Sequence, residues 1–182
     1  MTDLRRSNLW PVLFAVVFGA MATGPLWMGE ARMRDLVEFF TLLALGQMWN
    51  LLAGYAGLVS IGQQAFIGGG AYGFYILTDK AGVHPFLAVA LAGLVAAALS
   101  VPAAAVAFRL RGGYFAIGTW VIAEVFHLLT INWTYVGGGD GVTILEAARV
   151  ERTMREHGTY FWALGVAAAA VLGSYVLLRS RV

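Results

Sequence analysis

Cysteine is absent from this chain of 182 residues, which excludes disulfides, thiolate metal sites and a cysteine nucleophile. Lysine occurs once, as Lys80, and the residues before it lack the Gly-x-x-x-x-Gly spacing of a phosphate-binding loop. The chain therefore does not hydrolyse ATP by that route. Its basic residues, 12 in all, form no continuous stripe of the kind that binds nucleic acid, so no nucleic-acid partner is predicted.

Charged residues are also scarce. They make up 12% of the chain, whereas hydrophobic residues make up 60%. In soluble domains roughly 25% of the residues are charged and about 45–50% are apolar. Residues 39–78 and 81–108 contain no Asp, Glu, Lys or Arg, and a helix needs about 20 apolar residues to cross a lipid bilayer. Helices satisfy their own backbone hydrogen bonds in lipid, and these runs are too long for barrel strands. We therefore predict an all-α, polytopic transmembrane helical bundle.

Six hydrophobic segments are predicted, at about residues 9–28, 36–53, 54–78, 86–108, 114–133 and 159–178, with a polar loop at 134–158. The first follows Arg5 and Arg6 and contains Ala20-Met21-Ala22, so it resembles a signal peptide with its cleavage site. Its uncharged stretch is longer than the usual signal core of about 7–15 residues, and we favour a retained membrane anchor. Arginine pairs at the segment ends favour a cytoplasmic N-terminus, although the basic residues divide evenly between the two sides.

The third segment, residues 54–78, contains seven glycines, although glycine costs about 1 kcal/mol relative to alanine inside a helix. Two interpretations stay open. Either the glycines allow neighbouring helices to pack closely, or the segment is broken or re-entrant and its backbone lines a polar cavity. The glycines assigned to these roles are Gly54, Gly57, Gly62, Gly69, Gly70 and Gly73. In the fourth segment, small residues at every fourth position also predict helix contact: Ala88, Ala92, Ala96, Ser100 and Ala104.

Polar side chains inside the apolar segments need partners away from lipid, and we predict that five of them line a substrate pathway. They are Gln47, Asn50, Gln63, Gln64 and Glu124. A charge at the membrane centre costs about 2.5–3.5 kcal/mol on insertion scales, so an intramembrane glutamate is a functional candidate by default. The alternative is that Glu124 lies near the interface, or pairs with an arginine or His127 for packing.

Glu124 and His127 lie three residues apart and therefore on one face of the fifth segment. Their spacing matches the Glu-x-x-His of di-iron bundles, but those sites need two such motifs and two further glutamates. We therefore predict no metal site and no catalytic residue. An intramembrane enzyme that uses these two side chains is a rival hypothesis.

Several spaced motifs occur between about residue 42 and residue 142, over half of the chain. They are Asn50-Leu-Leu, Gly54-Tyr-Ala-Gly57, Ser60-Ile-Gly62-Gln63, Phe66 through Gly70-Ala-Tyr72, Arg109-Leu-Arg-Gly112-Gly-Tyr114-Phe-Ala-Ile117, Glu124, Asn132-Trp133 and Gly137-Gly-Gly-Asp140-Gly141. In this order they resemble the permease family of the ABC importers for branched-chain amino acids. Glu124 stands where that family usually has an acid.

The resemblance implies a transmembrane permease subunit, not an enzyme, that translocates branched-chain amino acids with ATP hydrolysed by partner subunits. The implied partners are a second permease subunit, two ATP-binding subunits, an external solute-binding protein and the amino-acid substrate. No cofactor is implied on this chain, since ATP and Mg belong to the partner subunits. The implied location is multi-pass in the plasma membrane (the bacterial inner membrane). Urea, amides or other amino acids are alternative cargoes, since related permeases carry them.

Permeases of this family are considerably longer than this chain, which reaches Val182 before the loop that seats on the ATP-binding subunit. We therefore expect residues 1–182 to be the N-terminal part of a permease domain. A fragment, a split subunit completed by a second polypeptide, and a degenerate gene are the interpretations left open. The rival function is a truncated membrane assembly partner that supports no transport.

Overall fold

The computed structural model describes the backbone of residues 3–180 and the side chains of residues 12–180. Its α-helices are α1 Asp3–Ala22, α2 Glu30–Asn50, α3 Gln63–Tyr75, α4 Pro85–Ala107, α5 Gly113–Ile131, α6 Glu146–Arg149 and α7 Arg152–Arg179. π-helical turns extend α2 over Leu51–Tyr55 and α3 over Ile76–Lys80. Short 3₁₀ turns lie at Gly24–Leu26, Thr134–Val136 and Gly138–Asp140. No strand occurs in the described range, and the all-α prediction is confirmed.

Within the described residues, four helical stretches are long and apolar enough to cross a membrane: Glu30–Tyr55, Pro85–Ala107, Gly113–Ile131 and Arg152–Arg179. They correspond to the second, fourth, fifth and sixth predicted segments. The first predicted segment contains a shorter apolar helix, Val12–Leu26, and the third contains only the 13 residues of α3 as α-helix. The predicted transmembrane bundle is confirmed, but its count of six segments is not.

The glycine-rich segment predicted at 54–78 is not one continuous helix. The chain leaves the helical conformation after Tyr55 and resumes it at Gln63. Within this interruption Gly57 has a φ of +68°, a value that glycine adopts freely and residues with a side chain rarely do. The segment therefore consists of a π-helical turn, an irregular stretch at residues 56–62 and the short helix α3.

The polar loop predicted at 134–158 ends too late in the chain, because α7 already begins at Arg152. Arg152 Nε donates to Glu156 Oε1 at 3.1 Å, an i,i+4 pair that supports a helical first turn made of polar residues. The arginines at positions 5, 6 and 181 lie outside the described side chains. The orientation predicted from the arginine pairs therefore stays a prediction.

The chain forms two compact units, and the first comprises the residues up to Met48 together with those from Arg152 onward. Its core contains Met33 and Phe40 of α2 and Tyr160 and Leu164 of α7. Tyr160 is fully buried, and its hydroxyl donates to the main-chain carbonyl of Met21 at 2.6 Å. This aromatic core fastens α1, α2 and α7 together.

The second unit comprises Trp49–Glu151, and in it α3 packs closely on α4. A Cβ at Gly73 would lie 3.2 Å from Val95 Cγ1, and one at Gly69 would lie 2.7 Å from Leu99 Cδ1. At Gly70 it would lie 3.7 Å from Ala96 Cβ, an ordinary van der Waals contact. The small-residue stripe of α4 lies on this inward side, with Ala88 and Ala92 buried.

The irregular stretch before α3 is held against α5. Ile61 N–H donates to Thr119 Oγ1 at 3.1 Å, and the indole N–H of Trp49 donates to the carbonyl of Ser60 at 3.2 Å. Gly62 approaches α5 so closely that a Cβ there would clash with the carbonyl oxygen of Thr119. Because glycine has no Cβ, the main chain at Gly62 can lie this close to α5.

Gly62→Ala should destabilise the second unit for this steric reason alone, since the φ of −93° at this position is one that alanine adopts readily. Overpacking of this kind typically costs about 1–3 kcal/mol. We expect a lower midpoint of thermal unfolding for the protein purified in detergent.

Gly93→Ala is the matched control, because a Cβ at Gly93 in α4 meets nothing within 4 Å. Alanine is the better helix former there and should leave stability unchanged or raise it by up to about 1 kcal/mol. A Gly62→Ala protein that unfolds at or above the wild-type temperature contradicts the close-approach argument.

Candidate functional site

A cavity of about 440 Å³ lies in the second unit between α3, α5 and the turn at residues 138–141. Its polar lining consists of Gln64 and Tyr72 from α3 and Glu124, His127 and Thr130 from α5. Ala65, Phe126 and Ile131 add apolar surface, and Gly138, Gly139 and Gly141 present main-chain groups. Ligand pockets typically measure about 300–1,000 Å³ and combine apolar walls with a few polar groups, so this cavity has the size and chemistry of a small-solute site.

Helical spacing explains why these side chains meet. Gln64, Gly68 and Tyr72 follow one another at intervals of four along α3, and Glu124, His127 and Ile131 recur at three and four along α5. Each set therefore forms one face of its helix. The two faces lie opposite each other in the cavity wall.

Glycine in α3 keeps the space between these faces open. Gly68 lines the cavity, and a Cβ at this position would meet nothing within 4 Å. The neighbouring Gly69 faces Leu99 of α4 at the same level, so α3 is pressed against α4 on one side and leaves a gap on the other. A side chain at Gly68 would project into that gap without displacing any neighbour.

The pair Glu124 and His127 forms the charged part of the cavity. His127 Nδ1 lies 3.4 Å from Glu124 Oε1, and the two side chains are 61% and 57% exposed. At this distance and exposure the hydrogen bond is weak. No lysine or arginine among the described residues pairs with Glu124. Its carboxylate therefore faces the cavity with one distant imidazole nitrogen beside it.

The structure unites two of the five predicted pathway residues, Gln64 and Glu124, in this cavity. Gln63 is directed elsewhere, since its Nε2 donates to the carbonyl of Ser60 at 3.0 Å. Asn50 lies against its own turn, where its Oδ1 would be 2.6 Å from a Cβ at Gly54. Gln47 belongs to α2 in the first unit. None of these three lines the cavity.

Tyr72, His127, Thr130 and the glycines of the turn at 138–141 were not among the predicted pathway residues. The spacing of four from Gln64 through Gly68 to Tyr72, and of three from Glu124 to His127 to Thr130, is the sequence signal that places them on the same faces. The glycine cluster at 137–141 marks the turn in the sequence, but not its approach to α3 and α5, which depends on tertiary contacts. Among the described residues no group of three or more His, Cys, Asp or Glu side chains is placed to hold a metal ion.

A second cavity, of about 470 Å³, lies in the first unit between α1 and α7. Its lining is apolar apart from Tyr175: Leu13, Phe14, Val17, Phe18, Val171 and Leu172. A surface of this kind has almost no groups that orient a polar solute. The cavity that contains Glu124 is therefore the candidate functional site.

The chain after α5 is tied to the end of α3 by Asp79. Its Oδ1 accepts hydrogen bonds from the N–H groups of Leu145 at 2.7 Å and Glu146 at 3.3 Å, and its Oδ2 accepts one from the hydroxyl of Thr78 at 2.9 Å. The ammonium of Lys80 lies over the ring of Tyr135, 5.4 Å from the centroid. The loop that carries the glycine turn is thereby attached to α3.

Opposing effects act on the pKa of Asp79. Desolvation alone would raise it, but the hydrogen bonds from Leu145, Thr78 and Glu146, with the charge of Arg149, outweigh desolvation and hold the pKa below its ordinary value of 3.8. Because the folded-state pKa is lowered, the ionised carboxylate stabilises the fold at pH values above 3.8. That stabilisation is lost as the pH falls below 3.8 and through the lowered pKa.

Comparison with known proteins gives a consistent result. A family model described as "Branched-chain amino acid transport system / permease component" matches residues 36–182. The chain is 32% identical over 136 residues to the "High-affinity branched-chain amino acid transport system permease protein LivM" of Escherichia coli (strain K12), covering 71% of this chain and 32% of that protein. It is 33% identical over 111 residues to the protein of the same name from Salmonella typhimurium, covering 61% of this chain and 26% of that protein. The chain thus spans between about a quarter and a third of the length of these relatives, and no solved structure matches it significantly.

Asp79→Asn should loosen the loop, because the amide keeps the shape of the carboxylate but removes its charge. A hydrogen bond to a charged group contributes about 1.5 kcal/mol or more. We therefore expect amide hydrogen exchange of Leu145 and Glu146 at neutral pH to become about tenfold faster. The difference from wild type, with exchange corrected for intrinsic rates, should shrink as the pH falls below 3.8 and vanish only below the lowered pKa of Asp79.

Asp35→Asn in α2 is the control for this measurement, since it removes an exposed carboxylate of the first unit. It should leave the exchange of residues 145 and 146 unchanged. Equal exchange rates for Asp79→Asn and wild type at neutral pH would show that the carboxylate does not hold the loop.

Proposed function

This chain belongs to the permease family of branched-chain amino acid transport systems, and from that premise we propose that it forms part of the translocation path of an ABC importer for these amino acids. Its role is conformational and includes no covalent chemistry. The hydrolysis of ATP takes place on partner subunits, in keeping with the absence of a phosphate-binding loop around Lys80, the single lysine.

The cavity between α3 and α5 is the observation that carries this proposal. A branched-chain amino acid combines an ammonium group, a carboxylate and an apolar side chain. The cavity provides a carboxylate in Glu124, hydrogen-bonding groups in Gln64 and Tyr72, and apolar surface in Phe126 and Ile131. A glutamate in the middle of a helix long enough to span the membrane is costly unless it serves a function.

The partners of this proposal are a second permease subunit, two ATP-binding subunits that hold ATP and Mg, and an external solute-binding protein. The complex lies in the bacterial inner membrane. Binding of ATP by the partners alternates the access to the path, and the solute moves inward. The non-helical stretch at residues 56–62, which follows a π-helical turn, is a suitable hinge for such a movement, since irregular segments between helices can absorb changes of the backbone dihedrals.

Uptake of radiolabelled leucine into proteoliposomes tests the function. The chain is reconstituted with the complete set of partners, and uptake is compared with and without ATP and the external binding protein. ATP-dependent uptake of leucine, isoleucine and valine is the expected result. Hydrolysis of ATP without uptake contradicts the proposal, and uptake of urea in place of leucine assigns the path to a different cargo.

Gly68→Leu should block this uptake, because the added side chain projects into the cavity and meets no neighbour within 4 Å of its Cβ. The substitution also replaces glycine with a better helix former, so folding should not suffer. We expect the rate of leucine uptake to fall by about tenfold or more, as a built-in clash excludes the solute. Uptake is measured at equal amounts of reconstituted protein.

Gly93→Leu is the matched control, since Gly93 lies in α4, also has nothing within 4 Å of its Cβ, and does not line the cavity. It should transport leucine at the wild-type rate. If Gly68→Leu transports as well as Gly93→Leu, the solute does not pass through this cavity.

A further inference from the structure

We infer that Glu124 recognises the ammonium group of the transported solute, so that the cavity selects primary amines that carry an apolar side chain. This inference rests on the proposed function and specifies the chemistry of its site. On this inference, Glu124 is the residue that distinguishes amino acids from the neutral amides that related permeases carry.

The charges around Glu124 provide the first argument. Glu124 is the sole carboxylate among the described residues that line the cavity, and neither lysine nor arginine lines it. Its single contact with another titratable group is with His127, at 3.4 Å and through Oε1 alone. The other carboxylate oxygen, Oε2, is therefore available to bind a solute. A solute with an ammonium group supplies the missing positive charge, whereas urea supplies none and a carboxylic acid without an amine is repelled.

The surroundings of the carboxylate provide the second argument. Phe126 is fixed by its ring contact with Phe66, at 6.2 Å between centroids, and offers an apolar surface two residues from Glu124. The hydroxyl of Thr130 already donates to the carbonyl of Phe126 at 2.9 Å. On α3, the amide of Gln64 and the hydroxyl of Tyr72 are side-chain donors that line the cavity and can reach the carboxylate of a zwitterion. The cavity thus places the negative group on α5 and these donors on α3.

Direct binding to the membrane complex tests this inference. The chain and its membrane and ATP-binding partners are placed in nanodiscs without the external binding protein, so that the permease alone determines specificity. Binding of radiolabelled leucine is then measured, with 3-methylbutylamine and 4-methyl-2-oxopentanoate as competitors. The first compound keeps the amine and loses the carboxylate, and the second keeps the carboxylate and loses the amine.

The expected result is that the amine displaces leucine and the oxo acid does not. Glu124→Gln should weaken leucine binding by about tenfold or more, as expected when one partner of a charge pair is removed. Glu124→Asp keeps the charge and should retain part of the binding. Glu38→Gln is the matched control, because Glu38 is an exposed carboxylate of another membrane-spanning helix and does not line the cavity. It should bind leucine as the wild type does.

Three outcomes would overturn the inference: unchanged leucine binding by Glu124→Gln, displacement by the oxo acid as strong as that by the amine, or no leucine binding by the wild-type complex. The competition by the amine and the oxo acid is measured on the wild-type complex. It therefore tests the inference even if Glu124→Gln fails to fold. ATP-driven leucine uptake in proteoliposomes is a separate measurement. If uptake is present while Glu124→Gln binds normally, the proposed function stands and the role of Glu124 falls.

Discussion

The contact of Gly62 with Thr119 fixes the geometry on which the cavity depends. At this point the main chain before α3 touches the main chain of α5, and the hydroxyl of Thr119 accepts a hydrogen bond from Ile61 N–H. From here both helices run in the same direction, as the later contact of Phe66 with Phe126 indicates. The side chains of Gln64 and Glu124 therefore meet in the space between the helices. Without the close contact at Gly62, neither the width nor the register of that space would be defined.

The far end of the cavity is held by a different kind of interaction. The turn at residues 138–141 contributes main-chain surface to the cavity, and the loop that carries it is fastened to the end of α3 by the carboxylate of Asp79. The contact of Gly62 with Thr119 is steric and lies between apolar helices. The attachment by Asp79 is electrostatic and lies at the end of a helix. A movement that opens the cavity is easier at the second, because hydrogen bonds at an exposed end exchange with water at little cost.

The sequence predicts the helices well, because long apolar runs leave few alternatives in a membrane. It also singles out Gln64 and Glu124, which line the cavity, since polar groups are conspicuous in such runs; their pathway role stays a prediction. Gln63 and Asn50 were selected by the same rule, yet the amide of Gln63 donates to the carbonyl of Ser60 and the side chain of Asn50 lies beside Gly54. An amide beside a helix break has local main-chain groups within reach, and the sequence does not show which partner it takes. The first turn of α7 falls inside the predicted polar loop, because a polar helical turn stabilised by an ion pair is not apolar on a hydropathy scale; its i,i+4 pair of Arg152 and Glu156 is the sequence signal for a helix there.

Glu156, Asp79 and Glu124 differ in the groups that neutralise or bind their carboxylates, and this difference bears on the role of Glu124. Glu156 in the first unit is mostly buried and receives Arg152 Nε at 3.1 Å and Arg34 Nη2 at 3.6 Å. Asp79 receives two main-chain N–H groups and a hydroxyl. Glu124 lies near the middle of α5, a helix long enough to cross a membrane, where an unpaired charge is costly, and yet its recorded titratable partner is the distant ring of His127. A carboxylate whose task was packing would need partners like those of Glu156. Its position beside an open cavity is what the proposed recognition of an ammonium group of the solute requires.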